Sequence, residues 1–161
     1  ETLTIVANKV ARGTATPGYY GATAFLETAA QSHAVEGDIT WNDGDGVGFR
    51  VLNPSTSPDQ NGWVVYFYGS NVLISLISSG VADVKATQSF TWASGTTKHM
   101  KVVASQTGTN ASITCYVDGV SVVTINYSAA PLGTLTYAGL HILNTGIAPT
   151  STFDNISVTR G

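Results

Sequence analysis

The sequence predicts a nearly all-β domain of the sandwich or barrel class. Runs rich in Val, Ile, Thr and aromatic residues recur along the 161 residues, and Gly, Asn, Asp, Ser and Pro separate them. Apolar residues with the 3.6-residue spacing of a helix face are nearly absent. All-β sandwiches of this length commonly form one undivided unit, so residues 1–161 are predicted to be a single domain.

Twelve strands are predicted, and turn residues mark the breaks between them. They lie near residues 2–8, 19–28, 34–42, 46–53, 62–69, 71–78, 81–91, 98–106, 111–118, 120–127, 134–144 and 151–159. Asp118-Gly119 lies between two alternating runs and suits a two-residue hairpin, because both residues tolerate positive φ. Segments 68–71 and 42–46 are two further predicted reversals. Two prolines make 53–62 a predicted loop, a usual place for binding residues.

Alternation along each strand predicts which side chains face the core. The expected buried set is Phe49, Val51, Leu73, Val102, Ile113, Cys115, Val117, Leu140 and Phe153. In the fifth strand Trp63, Val65 and Phe67 share one face, which leaves Tyr66 and Tyr68 on the other. Because a sandwich buries one face of each sheet, these tyrosines are expected on a surface. Arg50 shares that solvent-facing surface if Phe49 points inward and the strands 46–53 and 62–69 pair directly. His99 and His141 alternate with apolar neighbours and are also expected on strand surfaces.

Composition restricts the partners and the location. Only 11% of the residues are charged, and the net charge is −3, so no broad basic field is available for nucleic acid. No apolar stretch reaches the roughly 18 residues that a membrane span needs, so no membrane insertion is expected. A surface rich in Ser, Thr, Asn and Gln is frequent on extracellular and virion proteins, which predicts one of those locations. The start at Glu1 suggests a processed product or a domain of a larger protein.

A single cysteine, Cys115, rules out an internal disulfide. It shares a strand face with Ile113 and Val117, so it is interpreted as a small buried hydrophobic residue. A reactive thiol needs a nearby cation or the start of a helix, and neither is visible in its local sequence.

Three pairs of segments follow one another along the chain: GVGFRV (46–51) with NGWVVY (61–66), KHMKVV (98–103) with ITCYVDG (113–119), and YAGL (137–140) with FDNISV (153–158). In this order they resemble the concanavalin A-like lectin/glucanase and laminin-G superfamily. In the first pair Trp63 replaces the usual Tyr. The resemblance covers roughly residues 40 to 160 and implies a two-sheet antiparallel jelly-roll sandwich.

The superfamily that these segments resemble includes lectins, carbohydrate-binding modules, glycosidases, adhesion modules and virion components, so the site and not the fold must define the function. The leading interpretation is a non-catalytic, lectin-like or adhesion module whose partner is a glycan or polysaccharide. The alternative is a structural module of a virion or surface assembly, such as a phage tail-fibre or capsid-decoration domain, which binds protein subunits.

Catalysis is not predicted. Glycosidases need two carboxylates across the scissile bond, and the Glu-x-Asp-x-x-Glu strand of the superfamily's glucanases is absent. The only glutamates are Glu1, Glu27 and Glu36. Glu36 and Asp38 could share a strand face, but no other sign of a glycosidase accompanies them. The chain is therefore expected not to be an enzyme.

Two candidate sites remain. Sugar rings stack on aromatic side chains, and planar polar groups bind their hydroxyls, which makes Arg50, Asn61, Trp63, Tyr66, Tyr68 and Trp92 the candidates for carbohydrate binding. Trp63 becomes a core residue instead if its face packs inward. No cofactor is expected to be required. Calcium is the one metal candidate, at Asn42, Asp43 and Asp45, although Asp and Gly also simply form turns.

Overall fold

The computed structural model describes residues 2–5, 25–27, 32–54, 61–128, 135–144 and 150–161. These ranges form strands β1 (Thr2–Ile5), β2 (Phe25–Glu27), β3 (Ser32–Thr40), β4 (Asp45–Pro54), β5 (Gly62–Tyr68), β6 (Asn71–Ser78), β7 (Val81–Ser89), β8 (Thr97–Thr107), β9 (Asn110–Val117), β10 (Val120–Ser128), β11 (Leu135–Asn144) and β12 (Thr152–Arg160). The described ranges include no helix long and apolar enough to cross a membrane.

Each of the twelve predicted strands overlaps an observed one. The predicted strand positions 6–8, 19–24, 28 and 134, and the loop positions 55–60, lie outside the described residues. The Asp118-Gly119 hairpin is confirmed, since both residues have positive φ angles of 50° and 79°. The reversal between β5 and β6 is also confirmed, and Gly69 supplies its positive φ of 62°.

The strands form two antiparallel six-stranded sheets, which confirms the predicted two-sheet sandwich. Sheet I has the order β1-β12-β3-β8-β9-β10, and sheet II has the order β2-β11-β4-β5-β6-β7. Strands distant in sequence pair at one side of each sheet: β12 lies between β1 and β3, and β11 lies between β2 and β4. These pairings bring residues near the C-terminal end against the first half of the chain.

The core lies between the two sheets. Phe49 of sheet II meets Phe153 of sheet I edge to face, with ring centroids 6.1 Å apart. Eight of the nine residues predicted to be buried are buried: Phe49, Val51, Val102, Ile113, Cys115, Val117, Leu140 and Phe153. The prediction for Leu73 is wrong. Val72 and Ile74 on either side of it point into the core, so Leu73 points away and is only half-buried.

Cys115 is a free, fully buried cysteine in β9 of sheet I, as predicted. Burial raises the pKa of its thiol to about 12, because the charged thiolate would lose its hydration. Cys115 therefore acts as a core hydrophobic residue.

Candidate functional site

The face of sheet II that points away from the core carries an unusual set of polar side chains. In β4, Val47, Phe49 and Val51 are core residues, so Gly48 and Arg50 point outward. The same alternation places further side chains on this outer face of sheet II: Val64, Tyr66, Tyr68, Leu73, Ser75, Ile77, His141 and Leu143. The face therefore belongs to four adjacent strands, β11, β4, β5 and β6.

Strand register brings Arg50, Tyr66 and His141 together on this face. His141 and Tyr66 lie opposite Gly48 from its two sides, and Arg50 lies two residues farther along β4. Because Gly48 has no side chain, the His141 and Tyr66 rings meet across it, with centroids 5.3 Å apart and an interplanar angle of 62°. A Cβ atom at position 48 would overlap the Val65 carbonyl oxygen and the Tyr66 Cα. Only glycine fits at this position, because the backbone of β5 approaches it so closely.

The three polar residues are buried. Their exposed fractions are 5% for Arg50, 8% for Tyr66 and 4% for His141. The prediction that Arg50 and Tyr66 share a face with Tyr68 is confirmed, but the prediction that this face is open to solvent is wrong for Arg50 and Tyr66. Val64, Tyr66, Ile77 and Leu143 form a second apolar cluster there, separate from the core. Alternation predicts which way a side chain points but not how deeply its face is buried.

His141 is a neutral, buried imidazole, and its predicted surface position is wrong. Burial lowers its pKa to about 3, and the positive charge of Arg50 acts in the same direction. Its Nδ1 atom has no hydrogen-bond partner among the described residues. Ser75 Oγ, fully buried on the same face, also lacks a partner within the described ranges. The outer face of sheet II therefore combines the Arg50 cation, the neutral His141 imidazole and the Ser75 hydroxyl group with the apolar side chains of the second cluster.

The remaining predicted carbohydrate-binding residues lie in three different environments. Tyr68 is on the outer face of sheet II and is 38% exposed. Asn61 accepts a hydrogen bond from the Ser79 N–H, at 3.1 Å, and so holds the turn between β6 and β7. Trp63 is a core residue with no exposed surface, as the alternative interpretation required, and it cannot contact a ligand. Trp92 is also buried in the core, against Phe67.

The proposed calcium turn is held by hydrogen bonds to the chain just before β12. The Asp45 carboxylate accepts from the Thr150 and Ser151 N–H groups and from Ser151 Oγ. The Asn42 side-chain amide donates to the Thr150 carbonyl oxygen. Among the described residues, no group of three or more His, Cys, Asp and Glu side chains is placed to hold a metal ion. Calcium binding at this turn stays a prediction.

Glu36 and Asp38 share the outer face of sheet I, where His99 lies between their side chains. His99 Nδ1 is 2.8 Å from Asp38 Oδ1, and His99 Nε2 is 3.5 Å from Glu36 Oε2. Partial burial acts to raise the pKa of Glu36, but the hydrogen bonds and charges of Lys101 and His99 lower it overall. Hydrogen bonds from Asn155 and His99 lower the pKa of Asp38. Both carboxyl groups are therefore held ionised.

Comparisons with known proteins identify the fold. No protein-family model and no curated protein matches the chain. The carbohydrate-binding module CBM66 from Bacillus subtilis shares 19% identity with a TM-score of 0.63, over 97% of this chain and 95% of that chain. Sheep galectin-11, in complex with glycerol, shares 9% identity with a TM-score of 0.58, over 90% of this chain and 100% of that chain.

A third similar structure is the CBM40 module of the Ruminococcus gnavus IT-sialidase, bound to α2,3-sialyllactose. It shares 8% identity with a TM-score of 0.58, over 99% of this chain and 91% of that chain. Some other matching structures are enzymes, of which the match covers only a part. At these identities the likeness shows the fold, a jelly-roll β-sandwich, and agrees with the concanavalin-like architecture that the sequence segments implied.

Sequence reasoning missed His141 and Ser75 as members of the candidate site. A signal was present for His141, because it alternates with Leu140 and Ile142 and so had to point away from the core. Its proximity to Tyr66 depends on the pairing of β11 with β4 and of β4 with β5. No local pattern in the sequence specifies those pairings.

Proposed function

We propose that the protein is a non-catalytic carbohydrate-binding module whose ligand contacts the outer face of sheet II. The observation that carries the proposal is the convergence of Arg50, Tyr66 and His141 on a sheet face that the sandwich core does not use. Burying polar and charged groups costs free energy, and packing between the two sheets does not require these residues. Such groups cluster at functional sites more often than elsewhere.

The chemistry of this face suits a sugar. The Arg50 guanidinium has five N–H donors in a planar array, and a neutral His141 offers one donor and one acceptor. Tyr68, the exposed aromatic residue of this face, provides a ring for the apolar side of a pyranose, and Tyr66 lies two residues away on the same face with 8% of its surface exposed. Val64 and Leu143 supply apolar walls around these few polar groups, a combination typical of ligand sites. Three structurally similar proteins named above are carbohydrate-binding modules or a galectin, which supports the same class of ligand.

A sugar in solution would first meet this face at Tyr68, because Tyr68 is more exposed than Arg50 and Tyr66. Arg50 and His141 keep 5% and 4% of their surface exposed, and a sugar on this face would contact them through that small exposed part. A bidentate contact between a guanidinium and a carboxylate is strong and directional, so acidic sugars belong among the tested ligands.

The proposed binding is non-catalytic because the one described carboxylate pair that shares a strand face is unsuited to glycosidic cleavage. A glycosidase needs a general acid with a raised pKa. The pKa values of Glu36 and Asp38 are lowered instead, and both groups are engaged by His99. Pure protein is therefore expected to bind polysaccharide without releasing reducing ends. Release that disappears in Glu36→Gln would refute this part of the proposal.

The alternative of a structural module has no comparable support. A flat apolar patch would favour it, because such patches mark protein interfaces. The exposed large apolar residues of β7 and β10 are Val81, Val84 and Val120, and exposed apolar residues of this kind are ordinary on protein surfaces.

A glycan array followed by calorimetry tests the proposal. The array should carry neutral and acidic glycans, and the strongest ligand is then titrated into wild type and variants. Arg50→Met removes the guanidinium but keeps the length of the side chain, and Lys101→Met makes the same kind of change on sheet I. Arg50→Met should weaken binding at least tenfold, or about 1.4 kcal/mol, and Lys101→Met should leave it unchanged.

Tyr68→Ala is the second variant, because an exposed side chain can be truncated without unfolding the domain. It should weaken binding severalfold while the melting temperature stays within a few degrees. A folded wild-type protein that binds nothing on the array would overturn the proposal. Binding that survives both Arg50→Met and Tyr68→Ala would place the ligand elsewhere.

A further inference from the structure

A pocket of about 350 Å³ lies at one end of sheet I. The proposed carbohydrate site is on the other sheet, sheet II. Strands β8, β9 and β10 line it. Six of its lining residues have small polar side chains: Ser105, Thr107, Asn110, Ser112, Asn126 and Ser128. Ala111 and Tyr127 lie between these residues along β9 and β10 and complete the lining.

The six polar side chains form two rows across three strands. Ser105, Ser112 and Asn126 pair in one row, and Thr107, Asn110 and Ser128 pair in the next. Their neighbours Ala104, Ala111 and Ile113 are buried in the core, so both rows point away from it. Directly opposed side chains in adjacent strands lie about 5 Å apart, which makes the rows a small grid of hydrogen-bonding groups.

The pocket is open to solvent. Thr107, Asn110, Asn126 and Ser128 are exposed, and the two serines of the inner row are half-buried. The polar lining consists of short side chains, so the grid is not shielded by long side chains of its own. This accessibility distinguishes the pocket from the outer face of sheet II, where Tyr68 is exposed but Arg50, Tyr66 and His141 are buried.

The lining selects for a neutral ligand with many hydroxyl groups. Each Ser or Thr hydroxyl both donates and accepts hydrogen bonds, and each Asn amide has two donors and an acceptor. A sugar hydroxyl has the same dual character. None of the lining residues carries a charge. Lys85, whose Nζ lies 5.1 Å from the Tyr127 ring centroid, is paired with Asp83, so a phosphate or carboxylate would lose hydration here without gaining an unpaired cation. The volume falls at the lower end of the range for small-molecule pockets, which suits a single sugar unit.

We infer that this pocket is a second binding site, which accepts one uncharged sugar unit. It is independent of the proposed site, because it lies on the other sheet and shares none of its residues. Sheets in a sandwich pack about 10 Å apart with side chains filling the space between them, so one short oligosaccharide cannot reach both outer faces. A protein with both sites could join two glycan chains or gain avidity on a dense glycan surface.

The test is an NMR titration of ¹⁵N-labelled protein with methyl α-D-glucopyranoside and methyl β-D-galactopyranoside, with sodium glucuronate as the charged comparator. The protein should come from a host without N-glycosylation, since 110–112 and 126–128 fit the Asn-x-Ser pattern and an attached glycan would fill the pocket. At least one neutral probe should shift the pocket amides, with a Kd of about 1 to 10 mM for so small a ligand. Glucuronate should bind severalfold more weakly.

Matched variants locate the binding. Ser112→Leu places a bulky side chain in the middle of the grid and should weaken binding at least tenfold. Thr124→Leu makes a similar change on the same sheet face but outside the pocket lining, and it should retain the wild-type Kd. If the spectrum shows that Ser112→Leu does not fold, Asn126→Leu at the exposed edge of the same row replaces it.

Three results would overturn the inference: no shifts at the pocket amides with either neutral probe up to about 50 mM, equal shifts in wild type and Ser112→Leu, or equal affinity for glucuronate. Arg50→Met should leave this titration unchanged. Failure at this pocket is therefore distinguishable from failure of the site on sheet II, which Arg50→Met tests directly.

Discussion

Replacing Asp45 with Asn should destabilise the protein more than any surface substitution. The Asp45 side chain is buried at the start of β4, and its Oδ2 atom accepts three hydrogen bonds. They come from the Thr150 N–H at 3.0 Å, the Ser151 N–H at 2.9 Å and Ser151 Oγ at 2.7 Å. Ser151 Oγ in turn accepts from the Asn42 N–H at 2.8 Å. One carboxylate thus ties the turn before β4 to the chain that enters β12.

The expected cost follows from the number of these bonds. A hydrogen bond to a charged group contributes about 1.5–3 kcal/mol, and a neutral one contributes about 0.5–1.5 kcal/mol. Asp45→Asn keeps the shape but removes the charge, which loses about 1 kcal/mol for each of the three bonds. The free energy of unfolding should therefore fall by about 2–4 kcal/mol. Asp43→Asn in the same turn changes an exposed side chain and should cost less than about 0.5 kcal/mol.

Urea denaturation of wild type, Asp45→Asn and Asp43→Asn measures this difference through the midpoint at constant slope. Each measurement should be made with calcium and with a chelator. The hydrogen bonds of Asp45 predict the same loss in both conditions. A calcium ion at Asn42, Asp43 and Asp45 would make the loss larger when calcium is present. A cost for Asp45→Asn no larger than that for Asp43→Asn would refute the reasoning.

Three further predictions concern the core, the thiol and pH. Phe153→Ala removes a fully buried ring that packs on the opposite sheet, and should cost about 3–5 kcal/mol in the same urea assay; a cost below about 1 kcal/mol would show that the strand register is wrong. Cys115 should resist alkylation by iodoacetamide at neutral pH until urea unfolds the protein, because burial raises its pKa to about 12; rapid modification of folded protein would contradict its burial. Glu36 and Asp38 have folded-state pKa values below their ordinary values of 4.5 and 3.8. Their ionised forms therefore stabilise the fold above about pH 5. This stabilisation is lost as the pH falls through the lowered pKa values. The decline in urea midpoint between about pH 6 and pH 3 should be smaller in His99→Gln, and an unchanged decline would mean that His99 does not lower these pKa values.

The strands, the hairpins and most of the core could be predicted from the residues alone. The alternation of apolar and polar residues has a period of two along each strand, and it is local, so it can be read without knowing which strands pair. It correctly placed Phe49 and Phe153 inside, and it predicted that Arg50 and Tyr66 share a face if their two strands pair, as β4 and β5 do. Asp118-Gly119 specified its hairpin because few residue pairs tolerate the required φ angles.

Which of these faces form candidate sites depends on how the strands pair in the folded domain. Arg50 and His141 come together because β11 pairs with β4, a contact between distant parts of the chain. The two rows of the sheet I pocket depend on the register of three strands, and Asp45 finds its partners 105 and 106 residues away. The burial of Arg50, Tyr66 and His141 could not be predicted from their own strands, since a local pattern gives the direction of a side chain and not the depth of its surroundings. Strand pairing and burial are properties of the whole packed sandwich, because each register is set by the side chains of both sheets at once.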